Sequence, residues 1–164
     1  MLGGSIGGRN TRAVYLANAV GTTNAASYTY NVSFGVENAR RHIIVCHFAT
    51  HLTANLAVPS SCTIGGVVAS LLVSQPAVSG GNSHQFWIAA VPTGASGDVV
   101  ITRAANMGFG ALLVWAAYDL VSPALIHSLA TFANPATGSL DTTGGGIALG
   151  GALNLTATGF TWAG

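Results

Sequence analysis

The residues that carry chemistry are few in this chain, and their spacing limits what they can do. Five histidines (His42, His47, His51, His84 and His127) and two cysteines (Cys46 and Cys62) invite a metal reading, above all Cys46-His47 with His51 and Cys62. On a helix His47 and His51 would share a face; on a strand they point the same way but lie ~13 Å apart. One zinc ion cannot take both unless the chain turns sharply between them. The expectation is a core-adjacent His47, a loop His51 and no metal site. His42, beside Arg40 and Arg41, is expected to form a strand-entry cluster with Glu37, while His84 and His127 stand isolated.

Acid–base and nucleophilic chemistry find little to work with. Glycoside cleavage needs two positioned carboxylates, and the four acids, Glu37, Asp98, Asp119 and Asp141, are scattered on different elements. Asp98 follows Gly97 at a strand start and Asp141 precedes a glycine-rich turn, so both read as turn residues. Asp119 is expected to be partly buried, with Arg103 or Arg12 as partner. There is no Gly-x-Ser-x-Gly elbow, neither cysteine sits in a reactive context, and Gly144-Gly145-Gly146 lacks the lysine of a phosphate loop. Cys46 and Cys62 could form one bridge, although two cysteines in a chain of this length are more often buried thiols. These residues imply neither an enzyme nor a cofactor.

Aromatics are the remaining candidates. Trp87, Trp115, Tyr28 and Tyr30, with Tyr15, Tyr118 and Trp162 nearby in type, would suit a sugar-stacking platform on a sheet face. The competing reading is that strand aromatics belong to the core.

Charge narrows the field further. The 164 residues hold five arginines, no lysine and four acids, for a net charge of +1. An ordinary chain of this length carries about forty charges. Such a balance cannot make the basic face that nucleic acid needs, nor a polybasic membrane contact. With half its residues apolar, the chain is not of the disordered class. The longest apolar run, Ala111 to Tyr118, falls far short of the ~20 residues of a spanning helix. Ala17-Asn18-Ala19 faintly resembles a signal-peptidase site, but Arg12 precedes it and no sustained apolar stretch does.

A charge-poor surface lacks the repulsion that keeps small domains apart. Burial in an assembly, an uncharged polar coat and glycosylation are the three remedies. The coat is visible in Gly21-Thr22-Thr23-Asn24, Ser79-Gly80-Gly81-Asn82-Ser83 and Asp141-Thr142-Thr143-Gly144. Glycosylation signals at Asn31 and Asn154 are of a kind common by chance in so Ser/Thr-rich a chain. The expectation is a homo-oligomer with an uncharged polar surface.

The elements that must position these residues read as strands. Ser27 to Phe34 alternates, with Tyr28, Tyr30, Val32 and Phe34 on one side and Ser27, Thr29, Asn31 and Ser33 on the other. Arg41 to Ala49 is apolar on both faces through its middle, which suits the centre of a sheet packed on both sides, or an interface. Gly65-Gly66 sits between two β-prone runs at hairpin spacing. His84–Val91, Asp98–Arg103 and Phe109–Leu120 follow as strands, and further strands are expected near Ile126–Thr131, Gly138–Thr142, Ile147–Leu153 and Gly159–Trp162. Residues 1–10, with glycine at 3, 4, 7 and 8, read as a flexible arm. The expected fold is all-β over 11–164: a single two-sheet antiparallel β-sandwich of jelly-roll or Greek-key type.

The order of several segments adds a resemblance. Asn38-Ala39-Arg40-Arg41-His42-Ile43-Ile44-Val45, Thr63-Ile64-Gly65-Gly66-Val67-Val68-Ala69, Phe86-Trp87-Ile88-Ala89-Ala90-Val91-Pro92-Thr93-Gly94 and Ser96-Gly97-Asp98-Val99-Val100-Ile101-Thr102 follow one another as in the β-sandwich virion proteins of tailed bacteriophages and prophages. The likeness covers roughly residues 27 to 120. It implies a structural, non-enzymatic component of the virion, a capsid decoration or cement protein whose partners are other virion proteins. It carries no catalytic residues with it. The alternative within the same resemblance is a head- or tail-fibre adhesin that binds a host glycan. Such relatives continue past Phe160-Thr161-Trp162 with more strands, so the chain is expected to be truncated at its C-terminus.

Overall fold

The computed structural model describes residues 11–50, 61–75, 82–120, 122 and 147–150. Among these there are nine strands and no helix: β1 (Arg12–Gly21), β2 (Ala25–Ser33), β3 (Arg41–Thr50), β4 (Ser61–Ile64), β5 (Val67–Val68), β6 (Ser70–Gln75), β7 (Asn82–Ala90), β8 (Ser96–Met107) and β9 (Phe109–Tyr118). They form a five-stranded sheet, β1-β9-β3-β7-β6, and a four-stranded sheet, β2-β8-β4-β5. Every pairing is antiparallel. Among these described strands the first pairs with the ninth, the second with the eighth and the third with the seventh, the pattern of one long hairpin rolled across two sheets. That is the jelly-roll form of the β-sandwich.

The periodicities read from the sequence explain the layers. Tyr28, Tyr30, Val32 and Phe34 all point into the space between the sheets and are buried, while Ser27, Thr29, Asn31 and Ser33 lie outside. They meet Ile43, Val45, Leu112, Val114 and Ala116 from the five-stranded sheet in one continuous core. β3 lies at the centre of that sheet, and its other face is buried as well. There Ile44, Cys46 and Phe48 join Ile88, Trp115 and Ala117, with Ile147 and Leu149 packed against them. The doubly apolar run of β3 is thus a strand with a layer on each side. Gly65 and Gly66 close the β4–β5 hairpin at φ 59° and 78°, the left-handed values that a tight hairpin turn requires at both central residues.

One end of the sandwich hangs on Arg41, which is 1% exposed. Its Nε donates to the Val91 carbonyl at 2.7 Å, Nη1 to Gly35 at 3.0 Å, and Nη2 to Thr93 and Gly94 at 2.9 and 2.7 Å. A planar fork of five N–H donors can serve carbonyls arriving from two loops at once. Around it Phe34 N donates to Ala95 O, Glu37 accepts from Gly94 N, and Tyr118 donates to Val36 O. The β2–β3 connection, the β7–β8 turn and the end of β9 are thereby fastened together.

Several expectations are corrected. Glu37 binds the backbone of Gly94 rather than His42 or its neighbouring arginines. Asp119 approaches Arg40 at 3.8 Å, not Arg103 or Arg12; Arg12 instead stacks its guanidinium 4.7 Å from the Tyr118 ring centre. The reading of Cys46 and Cys62 as buried thiols, by contrast, holds, and they form no bridge. Residues 147–150 of the expected strand Ile147–Leu153 form no strand. β1 was not anticipated, because Ala, Asn and Gly dilute its alternation and a bulge breaks it at Tyr15–Ala17. The arm at 1–10 and the strands expected near Ile126–Thr131, Gly138–Thr142 and Gly159–Trp162 lie outside the described residues.

Truncating Arg41 strands buried carbonyls and leaves a cavity. Arg41→Ala is expected to lower the unfolding free energy by about 3–5 kcal/mol. Arg41→Lys should recover less than half of that, since one ammonium cannot reach four carbonyls; urea denaturation of the three proteins checks both values.

Candidate functional site

The end of the sandwich opposite Arg41 is where polar groups gather inside the fold. β3 carries His47 inward, paired across the sheet with Gln85 of β7, and Ser83 lies one inward position further along. From the facing sheet come Tyr28 and Tyr30 of β2 and Arg103 of β8, all buried. The strand period turns each of them inward, two residues along from an apolar core residue on the same face (Tyr30 and Val32, His47 and Val45, Gln85 and Trp87, Arg103 and Ile101), and the pairing of distant strands brings them together.

The hydrogen bonds link them in pairs. Tyr30 Oη lies 3.2 Å from His47 Nε2. Arg103 Nη2 donates to Gln85 Oε1 at 2.6 Å. Tyr28 donates to the Met107 carbonyl at 3.0 Å and also meets the Thr23 carbonyl. The two tyrosine rings stack at 5.8 Å, and both contact the imidazole. Gly110 makes this possible: a Cβ there would run into Tyr30 Oη and come within 3.1 Å of His47 Nε2. Ser83 Oγ, Gln85 Nε2 and His47 Nδ1 have no partner among the described residues.

Burial sets the protonation states. It pushes the Tyr30 phenol well up, with the Tyr28 ring adding to the rise and Arg103 opposing it. Tyr28 is raised by burial too. His47 is driven down to about 3, by desolvation first and the Arg103 charge second. Arg103 itself falls to about 10 through burial. The neutral imidazole shares one hydrogen bond with the protonated phenol through Nε2, its direction set by the imidazole tautomer. The tyrosine and histidine shifts move those groups away from the range in which a side chain exchanges protons near neutral pH, and Arg103, although lowered, stays charged there. The cluster is a set of neutral hydrogen-bonding groups around one cation, suited to fixing the register of two facing sheets.

The thiols follow the same rule. Burial pushes Cys46 up strongly and Cys62 up to about 12, which keeps both protonated and poor nucleophiles. No group of three potential metal ligands occurs among the described residues, and His51, His127, Asp141 and Trp162 lie outside them.

The four aromatics considered as a stacking platform do not share a surface. Tyr28, Tyr30 and Trp87 belong to the inter-sheet core, and Trp115 lies on the opposite face of β9, stacked on Phe86. All four are at most 9% exposed, so none of them presents a ring face for a sugar. Among the described residues the aromatic that does face outward is Tyr15 on β1, 52% exposed and edge-on to Trp115 at 5.9 Å. Its place on a strand whose pattern is broken by a bulge concealed it in the sequence.

Comparison with known proteins returned no matching family model, curated protein or solved structure.

Two outcomes follow from the buried cluster. The unfolded chain binds a proton at His47 below the ordinary histidine value of 6.5, while the folded chain resists until about 3. Stability is therefore full above pH 6.5 and is lost as pH falls toward 3, by on the order of 5 kcal/mol at most from this group. His47→Gln should flatten that part of the acid limb in denaturation curves collected between pH 7.5 and 4. Gly110→Ala should cost about 1–3 kcal/mol at neutral pH by forcing Tyr30 and His47 apart, a loss that the further change Tyr30→Phe should partly restore in the same assay.

Proposed function

We propose that this chain is a non-enzymatic structural subunit of a tailed-bacteriophage virion, one that decorates or cements the capsid by contact with neighbouring subunits. The observation that carries the reading is the exterior. Of the four described arginines, Arg41 and Arg103 are sealed inside at 1% and 2% exposure. The charges left on the described surface are Arg12, Glu37, Arg40 and Asp98, with Asp119 partly buried. A scarcity already evident in composition is deepened by the fold.

Apart from Asp98 and the exposed Val68, the outer face of the four-stranded sheet carries mainly hydroxyls and amides. Ser27, Thr29, Asn31 and Ser33 of β2 stand in register with Asp98 and Thr102 of β8, followed by Ser61 and Thr63 of β4. Jelly rolls serve as both capsid and lectin domains, and an architecture alone does not choose between them. The segments that resemble virion proteins take up defined parts of this one: the start of β3, the β4–β5 hairpin, the end of β7 and the turn into β8. Contacts of this kind depend on buried apolar area, at ~25 cal/mol per Å², multiplied over the copies in a shell.

A second reading, a head- or tail-fibre adhesin for a host glycan, is favoured by one feature, the outward ring of Tyr15. Glycan-array binding that disappears in Tyr15→Ala would support it, and a silent array would favour the cement.

Shells that lack this protein should capture it when it is added back. Because few charges take part, the captured amount should change by less than about twofold between ~0.05 and ~0.5 M NaCl. Co-sedimentation measures this; stripping by salt would count heavily against the reading.

A further inference from the structure

The proposed role requires neighbours but does not say which surface meets them. β1 is an edge of the five-stranded sheet; among the described residues it pairs only with β9. Exposed edges of natural sheets are ordinarily blunted by lysine, inward charge or proline. β1 (RAVYLANAVG) has neither lysine nor proline; its one charge, Arg12, turns toward the inter-sheet side at the strand's end, and the bulge at Tyr15–Ala17 is the one other such device it carries. Three of the exposed large apolar side chains, Val14, Tyr15 and Val20, are on this strand. The other long edge, β2, shows only small polar residues, of which Ser27 is bonded to Thr102 and Asn31 to Asp98.

The bulge in β1 selects the partner. Residues opposite one another in an antiparallel pair share a face, so the register with β9 assigns each side chain. Ala13, Tyr15, Asn18 and Val20 face the outer side with Ala117, Trp115, Leu113 and Ala111; Arg12, Val14, Ala17 and Ala19 face the inter-sheet side with Tyr118, Ala116, Val114 and Leu112. The extra residue at Leu16 shifts the phase halfway along the strand. In an unbulged strand, a two-fold pairing with its own copy keeps faces matched only when the numbers of opposite residues add to an even total. Here the shift permits an odd one, and the register that uses the whole strand fits: Arg12 opposite Gly21, Ala13 opposite Val20, Val14 opposite Ala19, Tyr15 opposite Asn18, Leu16 opposite Ala17. Outer residues meet outer and inner meet inner at every step. The bulge sits at the centre, so the twist it adds is the same on both sides of the axis.

We propose that β1 is a homodimerisation edge, pairing antiparallel with β1 of a second copy about a two-fold axis to join the two five-stranded sheets into one. The charges agree with it. The two Arg12 side chains fall at opposite ends of the ribbon, about 30 Å apart, well beyond the screening length at physiological salt. The surface is self-complementary, as a two-fold interface must be, and Tyr15 and Val20 lose exposure in it. This rests on the reading of the chain as an assembling subunit and names its first partner.

Sedimentation of the wild-type chain, with Cys46 and Cys62 buried and out of the way, should give twice the 16.4 kDa chain mass. Oxidising a mixture of Tyr15→Cys and Asn18→Cys should give a cross-linked dimer. Neither variant alone should, because like positions lie ~10 Å apart along the ribbon, past disulfide reach. Tyr15→Asp with Asn18→Asp sets carboxylates opposite one another and should sediment as a monomer with its thermal unfolding retained. A wild-type monomer at all concentrations, or a dimer whose mixed cysteines do not cross-link, overturns the proposal. Capsid capture of that monomer would show that the role in the shell survives the loss, and failure of capture by a cross-linkable dimer would show the reverse.

Discussion

The structure depends on a cation dissolved in carbonyls. Arg41 enters β3 from a connection that has just left the other sheet, and its guanidinium is held by backbone oxygens of Gly35, Val91, Thr93 and Gly94. A jelly roll has to pass the chain repeatedly from one sheet to the other, and each crossing leaves carbonyls that no ladder satisfies. One side chain meets four of them at one end. The hairpins below it inherit their register from that anchor. Phe34, whose amide bonds to Ala95 beside the anchor, is thereby placed to start the inward row that continues through Val32, Tyr30 and Tyr28.

The opposite end is closed by different means. There the inward row of β2 ends in two phenols, and β3, β7 and β8 answer with His47, Gln85 and Arg103. Burying such groups is costly unless they satisfy one another, so the arrangement tolerates little slippage: a shift of one residue along β3 would exchange His47 for Cys46, at best a weak hydrogen-bond partner, or Phe48, which is none. Polar groups in the interior thus serve specificity more than stability. With both ends spending arginines inside, the fold consumes the charge that would otherwise keep its exterior apart from its neighbours.

What was legible in the sequence was whatever strand periodicity expresses without interruption. Ser27 to Phe34 revealed its two faces, Arg41 to Ala49 its double burial, and Gly65-Gly66 its turn, because in each case one local rule determines the outcome. The polar cluster was not legible. His47, Tyr30 and Arg103 are brought together by pairings between residues far apart in the chain, and nothing in the spacing of single histidines or arginines announces that. Arg41 reads from sequence only as a member of a strand-entry cluster with Arg40, His42 and Glu37, since its carbonyl partners have no side-chain signature. β1 escaped for the opposite reason: its bulge divides ten residues into two half-patterns of contrary phase, and averaging across them erases the alternation.

Two outer surfaces of the sandwich then differ in what they can contribute to contact. On the four-stranded sheet, Ser27 with Thr102 and Asn31 with Asp98 already satisfy one another. A partner docking there exchanges equivalent hydrogen bonds for those with water, which yields little net energy but penalises any partner that leaves one unmade. Such a face discriminates without binding tightly. Val14, Tyr15 and Val20 on β1 are 39%, 52% and 66% exposed, and covering them gains free energy with almost no directional demand. The direction comes from the strand backbone beside them, whose edge donors and acceptors, unpaired among the described residues, admit only a partner running antiparallel or parallel in register. Affinity at the edge and selectivity on the hydroxyl face would let a nearly uncharged molecule choose its neighbours, a choice that most proteins make with charge.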